Sequence, residues 1–415
     1  MILRARLLAP VSRPPMDDGA VVIRRGRVVK VGRWRDLARS SGRVVDLGEC
    51  VLLPGLVNSH CHLDYTAMAG QFPPPRVFSD WLKTITTAKS EWHRADYLDS
   101  WRQGAAMLVR TGTTTVGDIE AVPEILPEAW ASTPLRVLSF LEMIGITGRR
   151  TPEEILAEAA GLARSLRHPR NRVGLSPHAP YSTLPDLLRQ TARLARRHRW
   201  PVAIHVAESS LEFDMFARGN GPMFDWIQKS GRDMSDCGQG TPVGHICAAG
   251  LTGRRVLAIH GNYLGPGDAA LLARQRIHLA HCPRSHAYFG HAPFPLRRLL
   301  RAGVNVSLAT DSLASVRQRR REPLELSLFE ELRAAARSQP WLSPARLLRL
   351  ATVDGAAALG LGGLAGEISP GAFADLIALP DQGPRASVCE RIIQHHGTVA
   401  ASLIGGAWAI PPQGS

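Results

Sequence analysis

Val51-Leu-Leu-Pro-Gly-Leu-Val-Asn-Ser-His-Cys-His62 decides how the rest of the chain is read. An apolar, strand-like run ends in two histidines at i and i+2, and in a strand such side chains point to the same side. His60 and His62 can therefore share one divalent metal, while Cys61 between them is expected to point away. Moving outward, other apolar runs end in the same way: Val202-Ala-Ile-His205, Val256-Leu-Ala-Ile-His260 and Val304-Asn-Val-Ser-Leu-Ala-Thr-Asp311. Runs before Asp118, Glu142, His178 and His281 complete a set of eight. Between them lie helix-like segments, such as Thr151 to Arg164, with Thr151 as N-cap and Pro152 in the first turn. Eight strands alternating with helices over about 260 residues give the α/β class and a (β/α)8 TIM barrel. His60 and His62 fall on strand 1, His205 on strand 5, His260 on strand 6 and Asp311 on strand 8. All would face the C-terminal mouth, where such barrels carry their chemistry.

Composition narrows the function classes. The 415 residues, 45% hydrophobic, are enough for one large domain with a small companion. No stretch reaches the roughly 18 apolar residues of a membrane span. The arginine-interrupted N-terminus reads as a first strand rather than a signal peptide, so a cytoplasmic location is expected. Six scattered cysteines, with no Cys-x-x-Cys pair, argue against a zinc ribbon or a disulfide framework. The net charge of +14 invites a nucleic-acid reading. Only four of the 50 basic residues are lysine, however (Lys30, Lys83, Lys89, Lys229), and the densest basic run, Arg317-Gln-Arg-Arg-Arg321, lacks interleaved aromatics. Neither nucleic acid nor membrane is expected as a partner; a small molecule is.

With these residues in place, the chain resembles the amidohydrolase superfamily, in its cytosine-deaminase-like and chlorohydrolase-like branch. The resemblance rests on Pro54-Gly-Leu-Val-Asn-Ser-His-Cys-His-Leu-Asp64, Ser176-Pro-His-Ala-Pro-Tyr-Ser182, His205-Val-Ala-Glu208, His260-Gly, His281-Cys-Pro-Arg-Ser285 and Thr310-Asp311-Ser, in family order over nearly the whole length. It implies that His60, His62, His205 and Asp311 bind one divalent metal, zinc first, with iron or manganese compatible. His260 would sit beside the metal's water, and Glu208 would shuttle protons to a substrate ring. Binuclear relatives carry a lysine at the end of strand 4; here His178 stands there, so one metal is expected. The β-rich ends, 1–55 and 360–415, would meet in a small β-sandwich beside a barrel of residues 56–359, with Leu361 to Gly366 as return linker. A homodimer is compatible with the resemblance.

The implied reaction is deamination of a 6-aminopurine nucleoside or analogue, of the aminodeoxyfutalosine, adenosine or S-adenosylhomocysteine type. Metal-bound hydroxide attacks the amidine-like carbon, Asp311 or His260 takes the water proton, Glu208 protonates the ring nitrogen, and ammonia leaves. Trp81, Glu142, His178 and Arg284 are candidate substrate contacts; each also has a plain structural reading as a core or loop-bonding side chain. Two alternatives stay open: a hydrolase of the same fold that opens a cyclic amide or dechlorinates or deaminates a triazine, and a non-catalytic binding protein.

Overall fold

The chain ends are β-rich because their sequences alternate apolar and polar residues between tight turns. A computed structural model describes residues 1–146, 149–318 and 323–413; most of the basic run ending at Arg321 lies outside them. The N-terminal strands are β1 (Ile2–Leu8), β2 (Met16–Arg24), β3 (Arg27–Arg33), β4 (Val44–Asp46) and β5 (Cys50–Pro54). β2 and β3 form the expected hairpin at Arg25-Gly26, where both residues adopt positive φ (48° and 71°), the backbone that a tight two-residue connection requires.

The barrel strands follow: β6 (Leu56–Cys61), β7 (Thr113–Glu120), β8 (Arg136–Met143), β9 (Arg172–Pro177), β10 (Val202–Val206), β11 (Val256–His260), β12 (His278–His281) and β13 (Val306–Leu308). All eight pair in parallel and in chain order. The circle closes through a parallel bridge between Cys61 and Asp311. Eight strands alternating with helices make the (β/α)8 barrel that the strand-end residues foretold. Three C-terminal strands, β14 (Leu376–Pro380), β15 (Ala401–Ile404) and β16 (Ala407–Ile410), join β5 and β1–β3 in a separate mixed sheet of order β16-β15-β14-β5-β1-β2-β3. Both chain ends thus build one companion sheet, with β4 attached to β1.

Pro54-Gly55 is where the chain leaves that sheet for the barrel. A Cβ on Gly55 would lie 2.1 Å from the Thr114 hydroxyl, so only glycine fits the crossing. Val57, Ile119, Leu138, Phe140, Ala203, Leu257, Ile259, Ala280 and Ala309 fill the barrel interior, and Ala356, Ala358, Leu359 and Leu361 join them from the helix Val353–Ala358 and the turn after it. The titratable side chains of the site stand at the C-terminal ends of the strands, beyond that packing. The helix over Pro152–Ser165 begins with the expected cap: the Glu154 N–H donates to Thr151 Oγ1 (3.2 Å) and the Thr151 N–H donates to the Glu154 carboxylate (2.8 Å). No described helix is long and apolar enough to cross a membrane.

Candidate active site

Strand alternation sets the first part of the site. His60 is buried at the mouth, while Cys61 turns outward into the core between strands and helices. His62 follows one residue beyond β6 and is 8% exposed. From the opposite wall come His205, on β10, and His260, the last residue of β11. Asp311, three residues past β13, reaches back across the seam: its N–H donates to the His60 carbonyl (3.3 Å). A buried Asn58–Thr310 pair holds the seam, with the Thr310 N–H donating to Asn58 Oδ1 (3.1 Å) and the Asn58 amide donating to Thr310 Oγ1 (2.7 Å).

Three strand ends at the mouth take backbone conformations that L-residues usually avoid. Ala207, His260 and Asp311 have φ of 53°, 71° and 56°. Such positive φ persists only where surrounding structure imposes it, and it is found chiefly at functional sites. Here the imposing group is visible for Ala207: the Glu212 carboxylate accepts from the N–H groups of both Ala207 and Glu208 (2.9 Å each). Asn262 donates to the Glu208 carbonyl (2.9 Å). Glu208 is thereby aimed inward, its Oε1 3.4 Å from His260 Nε2.

The donor atoms converge. Asp311 Oδ1 lies 3.3 Å from His60 Nε2 and 3.7 Å from His62 Nε2, and the Nε2 atoms of His62 and His205 stand 3.3 Å apart. His205 Nδ1 lies 3.0 Å from the His178 carbonyl, an acceptor, so Nδ1 carries the proton and Nε2 is a bare lone pair. Donors of His60, His205 and His260 fall within 4.8 Å of one another, as do those of His60, Cys282 and Asp311. Bare imidazole nitrogens pointed at each other beside a carboxylate fit a divalent cation held among them.

Burial, first, and the neighbouring imidazoles, second, hold His62 and His205 well below the ordinary histidine pKa. Burial likewise lowers His260, to about 3. All three are neutral, as metal ligation or acceptance of a proton requires. Burial pushes Asp311 upward, but the His60 hydrogen bond and the surrounding imidazoles outweigh it and leave the carboxyl well below its usual range. Glu208 goes the other way, raised well above its usual range by burial and then by Asp311 and Glu212. Two carboxyls in one site are thus driven apart, one ionised and one protonated.

The candidate substrate contacts separate. His178 stays at the mouth: its ring centroid is 5.0 Å from that of His205, and its Nδ1 is 2.6 Å from Ser182 Oγ. Glu142 is half-buried and its charge acts on His178. Trp81 rides on the helix Phe78–Ser90, edge-on to Phe289 at 5.2 Å, with its indole N–H buried and unpartnered. Arg284 does not join them. Its guanidinium is committed to the fold, with Nε on the fully buried Glu331 and Nη2 on the Glu325 carbonyl (2.9 Å). Asp118 is likewise committed, accepting from the Leu63 N–H (3.0 Å) and the Trp101 indole (2.9 Å).

Sequence reading missed several residues. Glu212 carried a signal, since Ser209-x-x-Glu212 has the spacing of a helix cap, and the Glu212 N–H does donate to Ser209 Oγ (3.2 Å). Lys89 was set aside because no lysine is near the strand 4 end in sequence. The helix after β6 nevertheless brings it to the mouth, where its ammonium donates to the Tyr65 hydroxyl while the Tyr65 ring stacks on His62 at 5.1 Å. Trp81, Ile85 and Lys89 recur at i, i+4 and i+8 on that helix, a spacing that puts them on one face. Asp64, fully buried with neither carboxylate oxygen partnered, and Cys282 stood inside the family motifs but were not singled out.

Comparison with known proteins bears on this geometry. Residues 51–396 match the amidohydrolase family. A 5-methylthioadenosine/S-adenosylhomocysteine deaminase from Syntrophobacter fumaroxidans is 31% identical over 403 residues, covering 91% of this chain and 84% of that protein. A 5′-deoxyadenosine deaminase from Methanothermobacter thermautotrophicus is 31% identical over 390 residues, covering 89% and 83%. Among solved structures, an adenosine deaminase from Xanthomonas campestris with bound zinc is 25% identical and superposes with a TM-score of 0.84, covering 99% of this chain and 92% of that one.

Proposed function

The chain belongs to the amidohydrolase family, and from that premise we propose that it deaminates a 6-aminopurine nucleoside or close analogue hydrolytically, with zinc as its metal. The observation that carries the reading is the Glu208–His260 pair at 3.4 Å beside the cluster of His60, His62, His205 and Asp311. Those four residues would hold the cation. Bound there, a divalent metal lowers the pKa of its water from about 15.7 towards 7 and so makes a nucleophile available at neutral pH.

The protein's own groups then handle the protons. Asp311, ionised, and His260, neutral, are the acceptors for the proton the attacking water gives up. Glu208, kept protonated by burial, donates to the ring nitrogen next to the reacting carbon and makes that carbon electrophilic. A C–O bond forms, the proton passes to the exocyclic amine, the C–N bond breaks, and ammonia leaves. General acid catalysis of this kind contributes roughly 10²–10⁴-fold. His178, Glu142 and Trp81 would meet the rest of the substrate. The named activities of the 31%-identical relatives support adenosine-type nucleosides modified at the 5′ position.

The test is ammonia release by zinc-loaded protein from S-adenosylhomocysteine, 5′-methylthioadenosine, 5′-deoxyadenosine, adenosine and aminodeoxyfutalosine, with guanine, cytosine and melamine alongside. Release from a 6-aminopurine nucleoside, abolished in Asp311→Ala, is the expected result. Silence from every aminopurine, with a ring-opened acid or free chloride released from an amide or chlorotriazine, would overturn it.

A further inference from the structure

The barrel has a second polar end, on the opposite face from the mouth. A pocket of about 300 Å³ lies where β9 starts and where the chain enters β10 and β11, walled on one side by Ala358–Gly360. Arg167, Arg172, Arg199, Arg254 and Arg255 line it, and no carboxylate does. Some arginines of the molecule are matched with acids, as in Arg4–Asp18 (2.8 Å) and Arg136–Asp375 (3.1 Å), and many exposed ones are not; these five are exposed. None of these five has such a partner among the described residues; Arg167 bonds only to the backbone carbonyls of Ala163 and Leu166.

A compositional preference for arginine does not account for this. It explains why the cations are not lysines and why many lack acids, but not why five of them converge on one concave pocket that no carboxylate lines. Nor is the helix dipole enough. The helix Pro185–His198 ends at this face with Arg196 and Arg197 in its last turn, where cations are favoured. Arg172, Arg254 and Arg255, however, stand at or before strands. The pocket also holds a donor with nothing to bond. Asn171 is 5% exposed; its Oδ1 accepts from the Val137 N–H (3.0 Å), yet its Nδ2 is buried without a partner. Buried polar atoms are rarely left so in a finished site.

We propose that this pocket binds a small polyphosphate anion, either inorganic pyrophosphate or the phosphate chain of a nucleoside di- or triphosphate. Guanidinium groups match phosphate oxygens in paired hydrogen bonds, and five of them call for a ligand of several negative charges rather than a single carboxylate. The volume is that of a small-molecule site, and a concave pocket of this size admits a phosphate chain but not a nucleic-acid duplex. Trp200, half-buried on the same wall, offers an apolar face beside it. The site is at the far end of the barrel from His60 and Asp311, so its occupancy does not depend on the deaminase reading.

Equilibrium dialysis of the metal-loaded protein against radiolabelled pyrophosphate and against ATP, in 0.15 M NaCl, tests it. One anion per chain is expected, weakened at least tenfold in Arg172→Gln/Arg255→Gln and only partly restored in Arg172→Lys/Arg255→Lys, which keeps the charge but not the paired hydrogen bonds. Binding of both anions, or of ATP alone, supports the site and separates a free phosphate chain from a nucleotide as its source. Three results would overturn it: no saturable binding of either anion, equal weakening by Arg297→Gln/Arg301→Gln elsewhere on the surface, or loss of binding in His62→Ala, which would put the anion at the mouth.

Discussion

Two buried polar regions of this molecule are built on opposite plans. At the seam between the barrel and the companion sheet, Arg136 and Asp375 pair at 3.1 Å with side chains 8% and 1% exposed, and Asp375 also accepts from the Gly405 N–H (2.7 Å). At the other end of β14, Asp381 is shared by Arg6 and Arg391. At the mouth, by contrast, His60 Nδ1, His281 Nδ1 and both oxygens of Asp64 are buried without partners, and three strand ends carry positive φ. One region is satisfied within the chain and the other is completed by what binds to it. Polar burial therefore supports the fold at the seam and supports chemistry at the mouth.

The sharpest way to break this contrast is Glu208→Gln. It removes the proton donor while keeping shape, so kcat should fall about 10²–10⁴-fold with the melting temperature and metal content unchanged. A comparable fall in thermal stability would mean that Glu208 belongs to the fold rather than to the reaction.

Asp375→Ala is the converse. It leaves the buried Arg136 guanidinium without its carboxylate, a change that typically costs about 3–5 kcal/mol. The expected outcome in a denaturant titration is a large drop in unfolding free energy, with kcat per folded molecule held. Metal removal should lie between the two in character. A cation that binds only the folded chain adds about 4 kcal/mol when free metal is 1,000 times its Kd. Chelation should therefore lower the wild-type melting temperature but leave Asp311→Ala, already short of a donor, nearly unmoved.

The same contrast explains what the sequence disclosed. Residues ending an apolar run are read directly, because strand period and barrel geometry together fix where they point; so all eight strands and the positions of His60, His205, His260 and Asp311 were legible. Trp81 and His178 were visible as candidates because their neighbours marked them. Arg284 was misjudged because nothing in the linear chain reveals that Glu331, 47 residues on, claims its guanidinium. Lys89 was overlooked for a related reason: the helix after β6 folds it back onto Tyr65, 24 residues earlier, a contact that local spacing does not encode. Residues whose roles depend on long-range pairing, at seam and mouth alike, come into view only in three dimensions.

The smallest expected effect concerns the residue that joins the two plans. Glu212 is fully buried like a seam residue, yet its two accepted N–H bonds hold the strained turn that aims Glu208. Burial raises its pKa from 4.5 to about 7, against those hydrogen bonds. The native state therefore keeps a proton that the unfolded chain releases. Its contribution to stability is full below about pH 4.5 and is lost as pH rises towards 7, by at most about 1.4 kcal/mol per pH unit for one proton. Asp118 and Glu331, also raised to about 7 by burial, slope the same way. Glu212→Gln cannot titrate, so its unfolding free energy should decline less steeply than the wild type's between pH 4.5 and 7. An unchanged slope would show that Glu212 titrates alike in the folded and unfolded chain, so that burial does not raise it.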